Sequence, residues 1–138
     1  MQTHKESAII SAETPLIANL DMCENIALIK EVHDNMSTVD AESLAVEILS
    51  VLGLKKISRK RVASCTKEEQ FLVMCIRAMM TQEKSVMIKL PGEILGSLLH
   101  IQKLIQSMKK LNNGKEIFIL DSLNHKKHYE GCECNIEK

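Results

Sequence analysis

Short apolar runs alternate with longer polar segments along the chain, and three of these runs have the length and punctuation of β-strands. They are SAII at residues 7–10, SVMIKL at 85–90 and EIFIL at 116–120, each bounded by polar residues or by Gly and Pro. Patterns with helical spacing lie between them. Strands that are separated by helices are typical of a parallel sheet, so the pattern predicts an α/β fold.

Apolar stripes with helical spacing predict two helices. The first stripe lies in residues 37–54 and consists of Ala45, Ile48, Leu49 and Leu52. It is followed by Gly53, a residue type that commonly ends a helix. The second, in residues 96–114, consists of Leu98, Ile101, Leu104, Ile105, Met108 and Leu111. Residues 20–64 contain no convincing strand, so we interpret them as a helical insertion on the α/β base.

A third helix is predicted by CTKEEQFLVMCIRAMM at residues 65–80. Thr66 followed by Glu69 forms a capping box, in which each side chain bonds the backbone N–H of the other residue. Glu68 and Glu69 also suit the positive end of the helix dipole. The apolar face of this helix consists of Leu72, Cys75, Ile76, Met79 and Met80.

Composition narrows the function classes. The 138 residues are 45% hydrophobic with zero formal net charge, which predicts one domain over residues 1–138 and no long-range field for nucleic acid or anionic membranes. Aromatic residues make up only 2%, so platforms for stacking bases are scarce. No apolar run has transmembrane or signal-peptide length. We therefore expect a cytoplasmic protein without direct membrane insertion, whose five Cys are thiols or metal ligands.

Three motifs in a fixed order resemble those of an ABC-transporter ATPase domain, from about Ile9 to the end of the chain. SAETPLIANLDMCENIALIKE (11–31) resembles the Q-loop and the start of the helical subdomain. CTKEEQFLVMCIRAM (65–79) stands where the family has its signature motif and helix, and VMIKLPG (86–92) resembles the Walker B strand. The resemblance implies a partial P-loop-NTPase-like parallel sheet with a helical insertion (20–64), followed by the signature helix and a C-terminal α/β part (65–138).

The chain departs from that family at the positions that carry phosphate chemistry. No G-x-x-x-x-G-K-[ST] occurs, so we expect a degenerate domain that is truncated at its N-terminus and begins after that loop. By the resemblance, the replaced positions are Ala12 (Q-loop Gln), Lys67 and Glu68 (signature glycines), Lys89 (Walker B Asp), Leu90 (catalytic Glu) and Ser122 (switch His). Phosphoryl transfer depends on such positioning groups, so ATP and Mg²⁺ binding and ATPase activity are not expected. Thr66 is the only hydroxyl left at the signature helix, where it could face a partner's ATP.

The Q-loop and helical region is retained most fully, and in the family it receives the permease. The resemblance therefore implies an accessory subunit that docks on a membrane permease or an intact ABC ATPase. The candidate docking residues form an apolar segment that either faces a partner or packs inside the domain: Pro15, Leu16, Ile17, Leu20 and Met22. A decayed ATPase remnant is the alternative. A half-domain would also expose a sheet edge, which a partner or a rearrangement must cover.

Two further clusters allow other functions. His125, His128, Cys132 and Cys134 are four soft ligands within ten residues and could form a small zinc-binding module. KKISRKR (55–61) could bind phosphates or an acidic membrane surface, or it could be a solvated linker. Among enzyme interpretations, Cys75 reads as a buried structural thiol. Asp121 and Ser122 follow a strand, where α/β enzymes often place chemistry, but the sequence names no third partner.

Overall fold

The computed structural model describes residues 7–111, 114–130 and 135–137. Its centre is a four-stranded parallel sheet in the order β1-β2-β3-β4, formed by β1 (Ser7–Ile10), β2 (Ser85–Lys89), β3 (Glu116–Leu120) and β4 (Asn135–Glu137). The three predicted strands are present, with β2 ending one residue earlier than expected. The predicted parallel α/β architecture is therefore confirmed.

Apolar runs form the inner strands because both faces of a parallel sheet are covered. Val86 and Ile88 of β2 and Ile119 of β3 are fully buried. Such strands are apolar at nearly every position instead of alternating with polar residues. The registers Val86 with Ile117 and Ile88 with Ile119 place these side chains in one continuous core.

In the part of the chain that the structure describes, five α-helices accompany the sheet: α1 (Met22–His33), α2 (Thr38–Val51), α3 (Lys67–Met79), α4 (Pro91–Leu95) and α5 (Ile101–Lys109). Helix α1 packs against α2, and α3 contacts α1, α5 and β1. Two 3₁₀ turns, Lys55–Ile57 and Val62–Ser64, connect α2 to α3, and a third 3₁₀ segment, Leu123–Tyr129, follows β3. The helix predicted over 37–54 corresponds to α2, and Gly53 adopts a left-handed conformation (φ +72°) just after it.

The helix predicted over 96–114 starts later than the sequence indicated. Gly96 has a left-handed conformation (φ +77°) and ends α4, and α5 begins only at Ile101. Leu98 fits the helical stripe, but it is buried in the turn between the two helices, where it lies beside Gly92. Because Leu98 is buried in the core although it lies in the turn, the apolar pattern in the sequence continues across the break between α4 and α5.

Strand β4 lies at one end of the sheet and covers one edge of β3. It pairs in parallel with β3, with Phe118 opposite Asn135 and Leu120 opposite Glu137. The chain thus covers the far edge of β3 with its own C-terminal segment. Strand β1 forms the other end of the sheet, where Ile9 is 40% exposed.

Candidate functional site

The carboxyl ends of the parallel strands share one edge of the sheet, and a cavity of about 710 Å³ opens there beyond β2 and β3. Ligands of open α/β sheets bind at this edge. The cavity is lined by both apolar and polar residues: Leu90, Gly92, Glu93, Gly96, Ser97, Leu98, Leu99, Asp121, Ser122, His125 and His128.

Asp121 is a buried carboxylate in this lining. Its side chain is 2% exposed and accepts hydrogen bonds from three donors: the Tyr129 hydroxyl (2.5 Å), the Ser122 N–H (2.7 Å) and His125 Nδ1 (2.9 Å). Burial alone would raise the pKa of Asp121, but the bonds from Tyr129, His125 and Ser122 lower it overall. Asp121 is therefore a buried carboxylate that stays ionised because its oxygens are satisfied.

His125 is oriented by this carboxylate. Because Nδ1 is engaged by Asp121, the other ring nitrogen, Nε2, is the one left for a ligand. The Ser122 hydroxyl lies 3.4 Å from the same Nδ1 atom. One nitrogen cannot both donate to Asp121 and take a proton from Ser122, so these three residues do not form a serine-hydrolase triad.

The described lining of this cavity lacks the Lys and Arg side chains that bind phosphate groups. Its ionisable side chains, among the residues that the structure describes, are Glu93, Asp121, His125 and His128. Phosphate sites instead supply Lys, Arg, backbone N–H groups or a bound cation. The described lining is thus unsuited to a nucleotide's phosphate groups.

Lys89 and Leu90, the two replaced positions at the end of β2, have non-catalytic environments. Lys89 Nζ lies 3.8 Å from a Glu13 carboxylate oxygen; the Lys89 side chain is 42% exposed and the Glu13 side chain is 82% exposed. Leu90 has a left-handed conformation (φ +47°), which is uncommon for a branched residue, and its N–H donates to the Leu120 carbonyl at 2.8 Å. Neither side chain supplies a ligand for Mg²⁺ or a base for water.

The start of α3 satisfies its own backbone. Thr66 Oγ1 accepts from the Glu69 N–H (3.0 Å), and Glu69 Oε1 accepts from the Thr66 N–H (2.9 Å), which confirms the predicted capping box. Glu68 contacts His100 Nδ1 at 2.7 Å on the surface. Lys67 is exposed, as are Ala12 and Ser122. The helix start therefore presents a carboxylate at a position where the resemblance implies a phosphate-contacting glycine.

A second region, the loop of residues 12–20, is held in place by two polar side chains. Asn25 is 1% exposed; its amide oxygen accepts from the Ile17 N–H (2.8 Å), and its amide nitrogen donates to the Ile17 carbonyl (3.1 Å). Arg77 donates to the carbonyls of Thr14 and Pro15. Burial lowers the pKa of Arg77. These bonds fix the loop backbone relative to α1 and α3.

The loop exposes only part of the predicted docking set. Leu16 is 7% exposed and Met22 is fully buried, and both belong to the hydrophobic core. Their assignment to a docking surface is corrected: burying these apolar side chains stabilises the domain, and they cannot reach a partner. Pro15 is exposed, Ile17 is 41% exposed, and Leu20 is half-buried. We refer to Pro15, Ile17 and Leu20 as the apolar loop patch.

The proposed zinc ligands fall partly outside the described residues. His125 and His128 both line the cavity, with ring centroids 6.2 Å apart. Cys132 and Cys134 lie outside the part of the chain that the structure describes. Within that part, no three His, Cys, Asp or Glu side chains are arranged to hold a metal ion. Zinc binding stays a prediction.

Sequence reasoning missed the partners that give these residues their roles. Asp121 was singled out without a third group, and the structure supplies Tyr129 and His125 from the following 3₁₀ segment. The signal was faint: Tyr129 is the only tyrosine, and Asn25 directly precedes the apolar residues 26–29. Cys75 is fully buried, and burial strongly raises its thiol pKa, as expected for a structural cysteine.

Comparison with solved structures shows the fold. The structure of the ATP-binding cassette MJ0796, a dimer in a post-hydrolysis state bound to ADP and Pi, matches 99% of this chain with a TM-score of 0.56 and 17% sequence identity. The fold is ABC-ATPase-like. The match covers 53% of the MJ0796 chain, so this chain spans about half its length. At this identity the likeness shows the fold alone. No protein-family model and no curated protein matches the sequence.

None of the helices in the described part of the chain is long and apolar enough to cross a bilayer.

Proposed function

We propose that this chain is a non-hydrolysing, ABC-ATPase-like interaction subunit of the cytoplasm. It docks on a membrane permease or on an intact ABC ATPase through the apolar loop patch. The ABC-ATPase-like fold supports the choice of partner, and the similar structure of MJ0796 is itself a dimer. A decayed remnant is the competing interpretation, and it predicts no partner.

The proposal that the chain does not hydrolyse ATP is supported by the residues at the replaced positions. Where the resemblance implies a Mg²⁺ ligand and a catalytic base, the chain carries Lys89, with Glu13 nearby, and Leu90. The described lining of the adjacent cavity offers carboxylates and no Lys or Arg, which does not favour phosphate groups. Because phosphoryl transfer relies on positioning and charge stabilisation, this edge is unsuited to it. Neither ATP nor Mg²⁺ is a cofactor in this proposal.

The observation that carries the docking proposal is the fixed conformation of the loop of residues 12–20. A loop that served only as a connection would not need a buried Asn25 and a half-buried Arg77 to hold its carbonyls. Rigid presentation lowers the entropy cost of binding. The loop thereby keeps Pro15 and Ile17 outside the domain at fixed positions.

The experiment compares two exposed aliphatic residues. Ile17→Asp places a charge in the apolar loop patch, whereas Val39→Asp makes the same change at a 75% exposed residue on α2. The wild type is purified from gently solubilised native membranes, and its partners are identified by mass spectrometry. We expect a permease or ABC ATPase with the wild type and with Val39→Asp, and recovery lowered about tenfold or more with Ile17→Asp.

Two outcomes contradict the proposal. If the folded wild type is recovered only as a free monomer, the docking part is wrong and the remnant interpretation gains. If Mg-ATP raises its melting temperature, or if it releases phosphate at a rate that Lys89→Ala abolishes, the non-hydrolysing part is wrong. Circular dichroism of both Asp variants establishes that each is folded.

A further inference from the structure

The residues 55–61 that follow α2, named here the basic turn, carry unpaired positive charge. Five of these seven residues are Lys or Arg. Arg59 is paired, since its guanidinium lies 3.3 Å from Asp21 and 2.8 Å from Glu42. The other four cations are exposed and form no ion pair with any residue that the structure describes: Lys55, Lys56, Lys60 and Arg61.

The basic turn connects α2 to α3, and part of it is packed against the domain. Ile57 is fully buried and Ser58 is 7% exposed. The Ser58 carbonyl accepts from the Cys23 N–H and the Lys60 carbonyl from the Met22 N–H, each at 2.9 Å. The four cations are therefore carried by a backbone segment that is bonded to the start of α1.

The basic turn is continuous with the apolar loop patch. Asp21 and Arg61 form a backbone bridge, and Leu20 immediately precedes Asp21. Exposed apolar side chains thus lie on the segment that borders the cations. A cationic cluster with neighbouring apolar side chains is the combination that binds the surface of an anionic bilayer, since each element alone binds weakly.

We propose that the basic turn adsorbs to an anionic phospholipid surface through its four exposed cations. Zero net charge does not prevent this, because screening confines each charge's effect to about 10 Å at moderate salt. Nucleic acid is a poorer match, because single strands bind through exposed aromatic side chains. All three aromatic residues of this chain, Phe71, Phe118 and Tyr129, are buried.

The test uses untagged protein and vesicles that contain no other protein. Sedimentation measures its partition onto phosphatidylcholine vesicles with and without phosphatidylserine. Lys55→Gln/Lys56→Gln removes two cations of the basic turn. Lys126→Gln/Lys127→Gln removes another exposed pair, between β3 and β4, and is the matched control. We expect binding only to the phosphatidylserine vesicles, decreasing with salt, lowered roughly tenfold or more by the first variant and unchanged in the second.

Three results would overturn the inference: equal binding to both vesicle types, equal loss in both double variants, or weaker binding of the first variant to single-stranded RNA with unchanged vesicle binding. The last result would assign the basic turn to nucleic acid. Because the vesicles contain no permease or ATPase, failure here leaves the docking proposal standing, and failure of docking leaves this inference standing.

Discussion

At the scale of single residues, the molecule depends on buried polar groups whose bonds are complete. Asp121 satisfies both carboxylate oxygens with Tyr129, His125 and a backbone N–H. Asn25 does the same for the loop of residues 12–20. Leaving one member of such a group unpaired costs more than the bond itself is worth, so these residues are sensitive to small substitutions.

Tyr129→Phe tests the bond to Asp121. Removing the hydroxyl leaves one carboxylate oxygen without its donor, and we expect the free energy of unfolding at neutral pH to fall by about 1.5–3 kcal/mol. The folded pKa of Asp121 is lowered, so its stabilisation is present above about pH 4 and is lost as the pH falls through that lower value. The effect of Tyr129→Phe should therefore shrink in acid. Urea unfolding at several pH values measures it.

The control for that prediction is the same change in an Asp121→Asn background. Without the carboxylate, Tyr129→Phe should cost clearly less, and the difference gives the coupling between the two side chains. Equal losses in both backgrounds would show that the hydroxyl stabilises the protein by some means other than this bond.

At the scale of secondary structure, helix starts are set by local side chains. Helices α1 and α3 each begin with a reciprocal capping box, formed by Asp21 with Glu24 and by Thr66 with Glu69. Helix α2 has only the one-way cap from Ser37. The start of α1 also contacts the basic turn, since the Met22 N–H donates to the Lys60 carbonyl.

Thr66→Ala should lower the free energy of unfolding by about 1 kcal/mol, because the Glu69 N–H at the exposed start of α3 loses its acceptor. Thr66→Ser keeps the hydroxyl and should restore nearly all of the loss. Ser37→Ala at α2 provides a one-way cap for comparison and should cost no more. Chemical denaturation measures all three. If Thr66→Ala and Thr66→Ser are equally destabilised, the hydroxyl does not cap the helix.

The elements that sequence predicted are those defined by nearby residues. The strands are short apolar runs, and the α3 start needs only the three-residue spacing from Thr66 to Glu69. The break before α5 was missed because Leu98 continues the apolar stripe through a turn that Gly96 makes possible. Arg77 was missed as well, because its acceptor in the loop of residues 12–20 is 63 residues away.

In the candidate site too, the sequence predicted the features that depend on nearby residues and missed those that depend on the tertiary fold. Sequence located Asp121, Ser122 and His125 near the end of β3, since strand ends can be read from the apolar pattern. It did not predict that a 3₁₀ segment returns Tyr129 to Asp121, because short 3₁₀ turns lack a strong periodic signal. The burial of Leu16 and Met22 was also beyond sequence, since an apolar residue faces a partner or the core according to the tertiary fold.

At the scale of the whole molecule, the sheet ends on one side in a three-residue strand, β4. Strand β4 pairs with β3 through residues 118–120, while β1 forms the opposite end of the sheet. An uncovered strand edge offers free N–H and C=O groups to another chain. The short segment that carries β4 therefore decides whether β3 is an edge strand of the sheet.

Deleting residues 131–138 should convert β3 into an exposed edge. Its inner side chains are apolar, including the buried Ile117 and Ile119, so unpaired backbone would lie beside apolar surface. We expect concentration-dependent self-association in sedimentation velocity. Deleting Lys138 alone keeps β4, and Cys132→Ser/Cys134→Ser keeps the strand while removing the thiols, so both controls should behave as the wild type does. A deleted chain that stays monomeric with unchanged stability would show that β4 does not protect the sheet, whereas association in the serine variant would assign the effect to the cysteines.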